Sequence, residues 1–280
     1  MAGKAWAAHL SLDYRHDGRR TVGHDRHSGP LRVLKALYPD RDPACHHVIV
    51  HPPGGIVGGD TLDIALRLRS GSHALLTTPG ATRFYRSDGP GAVQSVQAVL
   101  DDGARLEWLP LETLFHPGCR ADNRARFTLA PGAQMMGRDL LALGLPRAGQ
   151  AFDRGRIGQQ LEVPGLWLER GVIDGHDHRL LQSPLGLDGQ PVVGTQWFAA
   201  GSAQPAALLD ALLAAARELA DGPAGAGLRV GATALQDRGV VLRLLAPGVE
   251  PAMALMNAVW AAWRPLAWGL PAVAPRVWRT

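Results

Sequence analysis

The chain has 280 residues, enough for one large domain or two small ones, and its 46% hydrophobic content supports a buried core. Its 34 glycines and 21 prolines favour short strands and turns over long helices. The net charge of +4 comes almost wholly from arginines scattered among acids, without the basic run that a nucleic-acid groove needs.

Cys45 and Cys119 form neither a CxxC pair nor a metal-finger spacing. No charged segment followed by an apolar one opens the chain, so no secretory signal is read. The longest apolar stretch, 206–216, is broken by Asp210 and is too short to cross a bilayer. These features predict a cytoplasmic protein without a membrane segment.

Residues 1–30 are polar and read as a loosely packed lead-in to a single domain spanning 1–280. His9-x-Ser11-x-Asp13-Tyr14 could start an edge strand there. His9, His16, His24 and His27 could bind metal, but their spacing is irregular.

His47–Val50 then reads as a strand running into His51-Pro-Pro-Gly-Gly-Ile-Val-Gly-Gly-Asp60, on which the chain is centred. Proline fixes φ and removes a donor, whereas glycine reaches positive φ and admits close backbone approach. The stretch is therefore a rigid corner with Asp60 at its exit. Its glycines match neither a dinucleotide fingerprint nor a phosphate loop.

Between residues 60 and 150 a strand–glycine turn–strand unit recurs, with turns at Gly71, Gly103 and Gly132. Leu62–Leu68 and Ala125/Phe127/Leu129 alternate apolar with polar residues, as half-buried strands do. A period near thirty residues without helices predicts stacked β-coils or a sandwich of hairpins. In stacked coils the loops after each second strand leave from one edge, bringing Thr78, Glu112 and Asp139 together along a channel or partner surface.

Further strands are expected around 161–163, 166–168 and 192–195. Between them Asp174-Gly-His176-Asp-His178 has a chelating pattern, but a solvated loop accounts for it better. The grammar then changes. Helical spacing of leucines predicts a helix over 203–221, capped by Ser202 and stopped at Gly222-Pro223. A second helix is expected over 251–264, ended by Pro265. Its Met253, Met256, Trp260 and Trp263 suit either a core or a partner surface.

Three segments in order, Gly54-Gly-Ile-Val-Gly-Gly-Asp60, Thr77-Thr-Pro-Gly-Ala-Thr-Arg-Phe-Tyr-Arg-Ser87 and Leu106-Glu-Trp-Leu-Pro-Leu-Glu112, resemble the signatures of the urease accessory protein UreD (UreH) family. Leu143-Gly-Leu-Pro146, Phe152-Asp-Arg-Gly-Arg156 and Val193-Gly-Thr195 continue the resemblance. It implies a mainly β fold, a two-layered, β-helix-like stack of coils with a small C-terminal α-helical part. It also implies a non-catalytic scaffold. With a UreF-like helical protein and a UreG-like GTPase, such a protein docks on urease apoprotein and assists nickel insertion, conducting the metal through a tunnel.

No cofactor is then bound stably, and nickel passes only transiently. A conduit needs weak, repeated steps from carboxylates, hydroxyls and an occasional imidazole, since a closed set of strong ligands would trap the ion. Asp60, Thr78, Glu112, His116 and Asp139 are the candidates. Gly54, Gly55, Gly58, Gly59, Arg83, Tyr85 and Ser87 are expected to build the motif. Met253, Met256, Trp260 and Trp263 are expected to meet partners. Leu111 and Gln150 depart from the family pattern, where glutamine and an acid are frequent. Two rival readings are a β-helix lyase or hydrolase using Asp60, Glu112 or Asp139, and a metal hydrolase built on His176 and His178.

Overall fold

A computed structural model describes residues 5–39 and 44–279. The N-terminal segment supplies β1 (Ala7–His16), β2 (Thr21–Ser28) and the short β3 (Arg32–Val33), and β4 (Cys45–Val50) follows. From there the chain winds in coils. The first coil is β5 (Thr61–Leu68), β6 (His73–Thr77) and β7 (Thr82–Phe84). The second is β8 (Ala92–Leu100), β9 (Arg105–Trp108) and β10 (Thr113–Phe115), and the third is β11 (Arg120–Leu129) and β12 (Gln134–Leu143). Successive coils pair in parallel, β5 with β8 and β8 with β11 on one side, β6 with β9 and β9 with β12 on the other. The three repeated glycines are the corners between the sides, at φ of +69°, +67° and +77°, a region open to glycine at little cost.

The coil gives way to hairpins with β13 (Arg156–Val163) and β14 (Trp167–Asp174), then the short helix α1 (His178–Gln182) and β15 (Val192–Ala200). Helix α2 (Ala206–Asp221), the hairpin β16 (Arg229–Leu235) and β17 (Gly239–Ala246), and helix α3 (Val249–Trp268) complete the chain. A seven-stranded sheet runs β14-β13-β11-β8-β5-β1-β2, and the ten-stranded sheet is built on β16-β17-β15-β12-β9-β6-β4-β3. The stacked-coil reading holds, and the sandwich of hairpins does not.

Two cores result. One lies between the sheets; the other lies between the ten-stranded sheet and helices α2 and α3. The ten-stranded sheet is therefore covered on both faces, which is why β15 is buried along its whole length. No helix among the described residues is long and apolar enough to cross a membrane.

Three expectations need correction. The segment before residue 30 is not a loose lead-in, because β1 lies inside the seven-stranded sheet, parallel to β5. Its outward residues are polar, but Leu10, Leu12 and Tyr14 are fully buried. Ser202 does not cap α2: Pro205 holds the N-cap position, and the Ser202 hydroxyl accepts from the Gly132 N–H instead. Helix α3 does not end at Pro265 but runs through it to Gly269, whose φ is +67°. Pro265 and Ala261, whose carbonyl loses its partner, are both exposed, so water can take over the missing bond.

Candidate functional site

The first two sequence motifs are one structural unit. The Ile56 N–H donates to the Arg83 carbonyl at 2.7 Å, and the Tyr85 N–H donates back to Ile56 at 2.9 Å. Gly54 and Gly59 adopt positive φ. Gly55 and Gly58 are needed for space, since a Cβ there would run into the Tyr85 ring and the Ser87 hydroxyl. Ser87 in turn donates to the Pro90 carbonyl at 2.8 Å.

Asp60 braces this corner. Its carboxylate accepts the N–H groups of Trp6 at 2.8 Å and Val57 at 3.0 Å, and it is almost fully buried. The corner and the loop at 79–83 close one side of a cavity of about 330 Å³ between the sheets, and Asp60 does not line it.

Thr78 and Asp139 do line it, with His51, Arg83, Gln94, Asn123 and Trp197 among the other contributors. Asp139 sits deep in the protein yet keeps part of its surface open to this space. Burial and the nearby Glu169 carboxylate push its carboxyl up to about 7, against the lowering effect of a hydrogen bond from Gln159. Two buried polar atoms on residues lining the cavity, His51 Nε2 and Trp197 Nε1, have no protein hydrogen-bond partner. The space is thus polar enough to hold water.

Glu112 faces elsewhere. It lines a groove of about 760 Å³ outside the ten-stranded sheet, with Leu111, Leu114, Met253, Asn257 and Trp278. The wall between cavity and groove is thin. The Leu111 N–H donates to the Thr78 hydroxyl at 3.0 Å, and the Thr82 N–H donates to the Glu112 carbonyl at 3.0 Å. Behind the wall Arg138 donates to the carbonyls of Pro110 at 2.8 Å and Leu109 at 3.2 Å, and to Asn257 Oδ1 at 2.6 Å. The Trp278 ring stacks on its guanidinium at 4.5 Å. Burial lowers Arg138 to about 9, partly offset by Glu112. His116 packs on Tyr85 at 4.6 Å between ring centroids and lines neither space.

The predicted row of neighbours is therefore split. Thr78 and Asp139 share the cavity, Glu112 lies across the wall, and Asp60 and His116 belong to the supporting corner. No two of the three acids stand as a pair in one cleft. His176 is exposed in a turn, and exposed His178 opens α1 behind the Asp177 cap. Among the described residues, no group of three or more His, Cys, Asp or Glu could hold a metal ion.

The partner-surface residues also need correction. Met256, Trp260 and Trp263 are buried against the ten-stranded sheet and α2, so the apolar face of α3 is satisfied within the chain. Met253 alone of the four remains half-exposed, in the groove beside Glu112.

The sequence model for the UreD urease accessory protein matches residues 7–279, which includes both C-terminal helices. The chain belongs to the UreD family. It is 59% identical over 278 residues to the urease accessory protein UreD of Leptothrix cholodnii, covering 99% of this chain and 100% of that protein. The Variovorax paradoxus protein of the same name is 54% identical over 276 residues, with 99% and 100% covered. That of Methylibium petroleiphilum is 53% identical over 296 aligned positions, again with 99% and 100% covered. Membership makes the chain a urease accessory protein, a maturation factor rather than a catalyst.

Two sets of polar residues escaped the sequence reading. The first is Glu107, fully buried within the third motif. It accepts from Trp260 Nε1 at 2.6 Å and Arg264 Nε at 3.1 Å, and it meets His73 Nε2 at 2.8 Å. Burial alone would raise its carboxyl, but His73, Arg264 and Trp260 together hold it below the ordinary value. The second set is Gln94, Asn123 and Gln159, each at an inward position of its strand. A signal for these existed: each interrupts an apolar phase, as Asn123 does between Ala121 and Ala125.

Proposed function

We propose that this chain is the scaffold that, with a UreF-like helical protein and a UreG-like GTPase, docks on urease apoprotein and assists nickel insertion. In this reading the cavity between the sheets is a section of the nickel path. The observation that carries it is the placement of Asp139 and Thr78 on one cavity of about 330 Å³ between the sheets, with few other strong donors. A hydrated divalent ion entering there meets one carboxylate, hydroxyls and amides, which lower the cost of shedding water without closing a tight site. Nickel is cargo here, never a resident cofactor. Glu112, across the thin wall, would receive the ion on the groove side. Asp60 and His116 serve by holding the corner rigid.

The test is the nickel content and activity of urease from cells whose only copy of this chain carries Asp139→Asn or Thr78→Val. Nickel-poor urease that still co-purifies with the variant chain supports the path. Fully loaded urease in both variants overturns it, while leaving the scaffold role in place. Complete nickel loading in cells lacking the chain would overturn the scaffold role as well.

A further inference from the structure

On β5, β8, β11 and β13 the inward residues of the seven-stranded sheet are apolar except along one row. In that row Gln94, Asn123 and Gln159 stand side by side on β8, β11 and β13, in direct register. Their neighbours on the same face are Ala92, Val96, Ala121, Ala125, Ile157 and Leu161. An amide in such surroundings is costly unless its hydrogen bonds are made.

Here they are made to one another. Gln94 Nε2 donates to Asn123 Oδ1 at 3.2 Å, Asn123 Nδ2 donates to Gln159 Oε1 at 3.1 Å, and Gln159 Nε2 donates across to Asp139 Oδ2 in the other sheet. A carboxamide has a donor end and an acceptor end, whereas a carboxylate only accepts. The ionised Asp139 therefore sets the direction of the whole chain. Every NH₂ points toward it, and the carbonyl oxygen of Gln94 is left at the far end, where Gln94 lines the cavity.

We propose that Gln159, Asn123 and Gln94 form a directional amide relay that positions the Asp139 carboxyl and, through the same hydrogen bonds, leaves the Gln94 carbonyl free toward the cavity. The cavity then offers a divalent cation two coupled oxygen donors, from opposite sheets. Hydrogen bonds in such chains polarise one another, so the ends are coupled although they do not touch. This inference deepens the nickel-path reading and rests on it.

Other charges face Asp139 and must be held constant. Glu169 on β14 is paired with Arg243 of β17 at 2.8 Å. Arg83 and His51 line the same cavity from the loop side. Arg138, its neighbour in sequence, reaches the opposite face of β12 toward α3.

The experiment is a ¹³C-carboxyl NMR titration of Asp139 in the full-length chain, with the resonance assigned through Asp139→Asn. Gln159→Leu removes the direct donor and is expected to raise the midpoint by about one pH unit. Gln94→Leu does not touch Asp139 but is expected to raise it by roughly a few tenths of a unit. Gln94→Glu, nearly the same shape, places an acceptor at both ends, draws the Asn123 NH₂ away from Gln159 and raises the midpoint likewise. Unchanged midpoints in both Gln94 variants overturn the relay. In a second measurement, Ni²⁺ alone broadens the Asp139 resonance, and Gln94→Leu is expected to require several-fold more metal. Equal broadening in wild type and Gln94→Leu overturns the coupled donors. Neither readout involves urease, so nickel-loaded urease from Asp139→Asn cells would sink the path while the titration still decides the relay.

Discussion

The two faces of the ten-stranded sheet solve the problem of buried polar groups in opposite ways. On the helix side, Glu107 is fully buried and meets His73, Trp260 and Arg264. On the inter-sheet side, Asp139 accepts from Gln159 and has an open cavity before it. The first arrangement fastens α3 to the sheet. The second leaves a carboxyl available to something that is not protein. A buried acid is thus structural or receptive according to how many of its lone pairs the fold has already used.

The comparison is broken most severely at Glu107. Glu107→Ala leaves His73 and Arg264 buried without their anion, and the expected loss is about 3–5 kcal/mol, read as a lower urea midpoint. The pH dependence has a definite sign. The folded Glu107 carboxyl lies below its ordinary value, so its contribution is present above the unfolded pKa and is lost as pH falls through the folded one. The variant should lack that acid-side loss.

Asp139 should behave in the reverse sense. Its carboxyl is raised to about 7, so the fold favours the protonated form. Stability falls as pH rises from the unfolded value near 4 through the folded value. Asp139→Asn is expected to flatten that slope and to stabilise the chain at pH 8 by roughly 2–4 kcal/mol, measured by denaturation at pH 5 and pH 8. Destabilisation at pH 8 would contradict the assignment of Asp139 as receptive.

A smaller effect is expected at Gly137, where β12 crosses the Trp197 ring. An added Cβ would strike the indole, which also packs on Phe127 and Trp167. Gly137→Ala should cost about 1–3 kcal/mol by overpacking, detectable as a lower thermal midpoint. Smallest is Trp278→Ala, which removes the stack on Arg138 and a 2.7 Å hydrogen bond to the Thr77 hydroxyl. About 1–2 kcal/mol should be lost, with faster amide exchange at Leu111 and Glu112 as the local readout.

The coils were legible in the sequence because their corners need glycine at Gly71, Gly103 and Gly132, whatever the strands between them contain. Helices α2 and α3 were legible from their apolar spacing. The place of β1 was not, because its outward histidines and acids hide the alternation of Leu10, Leu12 and Tyr14. The tryptophans of α3 were ambiguous for a chemical reason: a core and an interface select the same large apolar side chains. Asp60 was placed on the metal path by its motif, but which of its lone pairs backbone N–H groups had taken was invisible. The amide row could be seen only once the strand register was known. Gln94, Asn123 and Gln159 lie 29 and 36 residues apart, unequal steps that a search for a fixed period passes over.

That row also works as a parity check on the chain's length. Side chains change face at every residue of a strand, so one residue inserted between Gly118 and Asn123 would turn Asn123 outward and bring Asp122 or the inserted residue into the gap. Two inserted residues would restore the face but misalign the amide with both neighbours. Length changes in this fold can therefore accumulate in the loops, while the strands that carry the row must be inherited without insertion or loss.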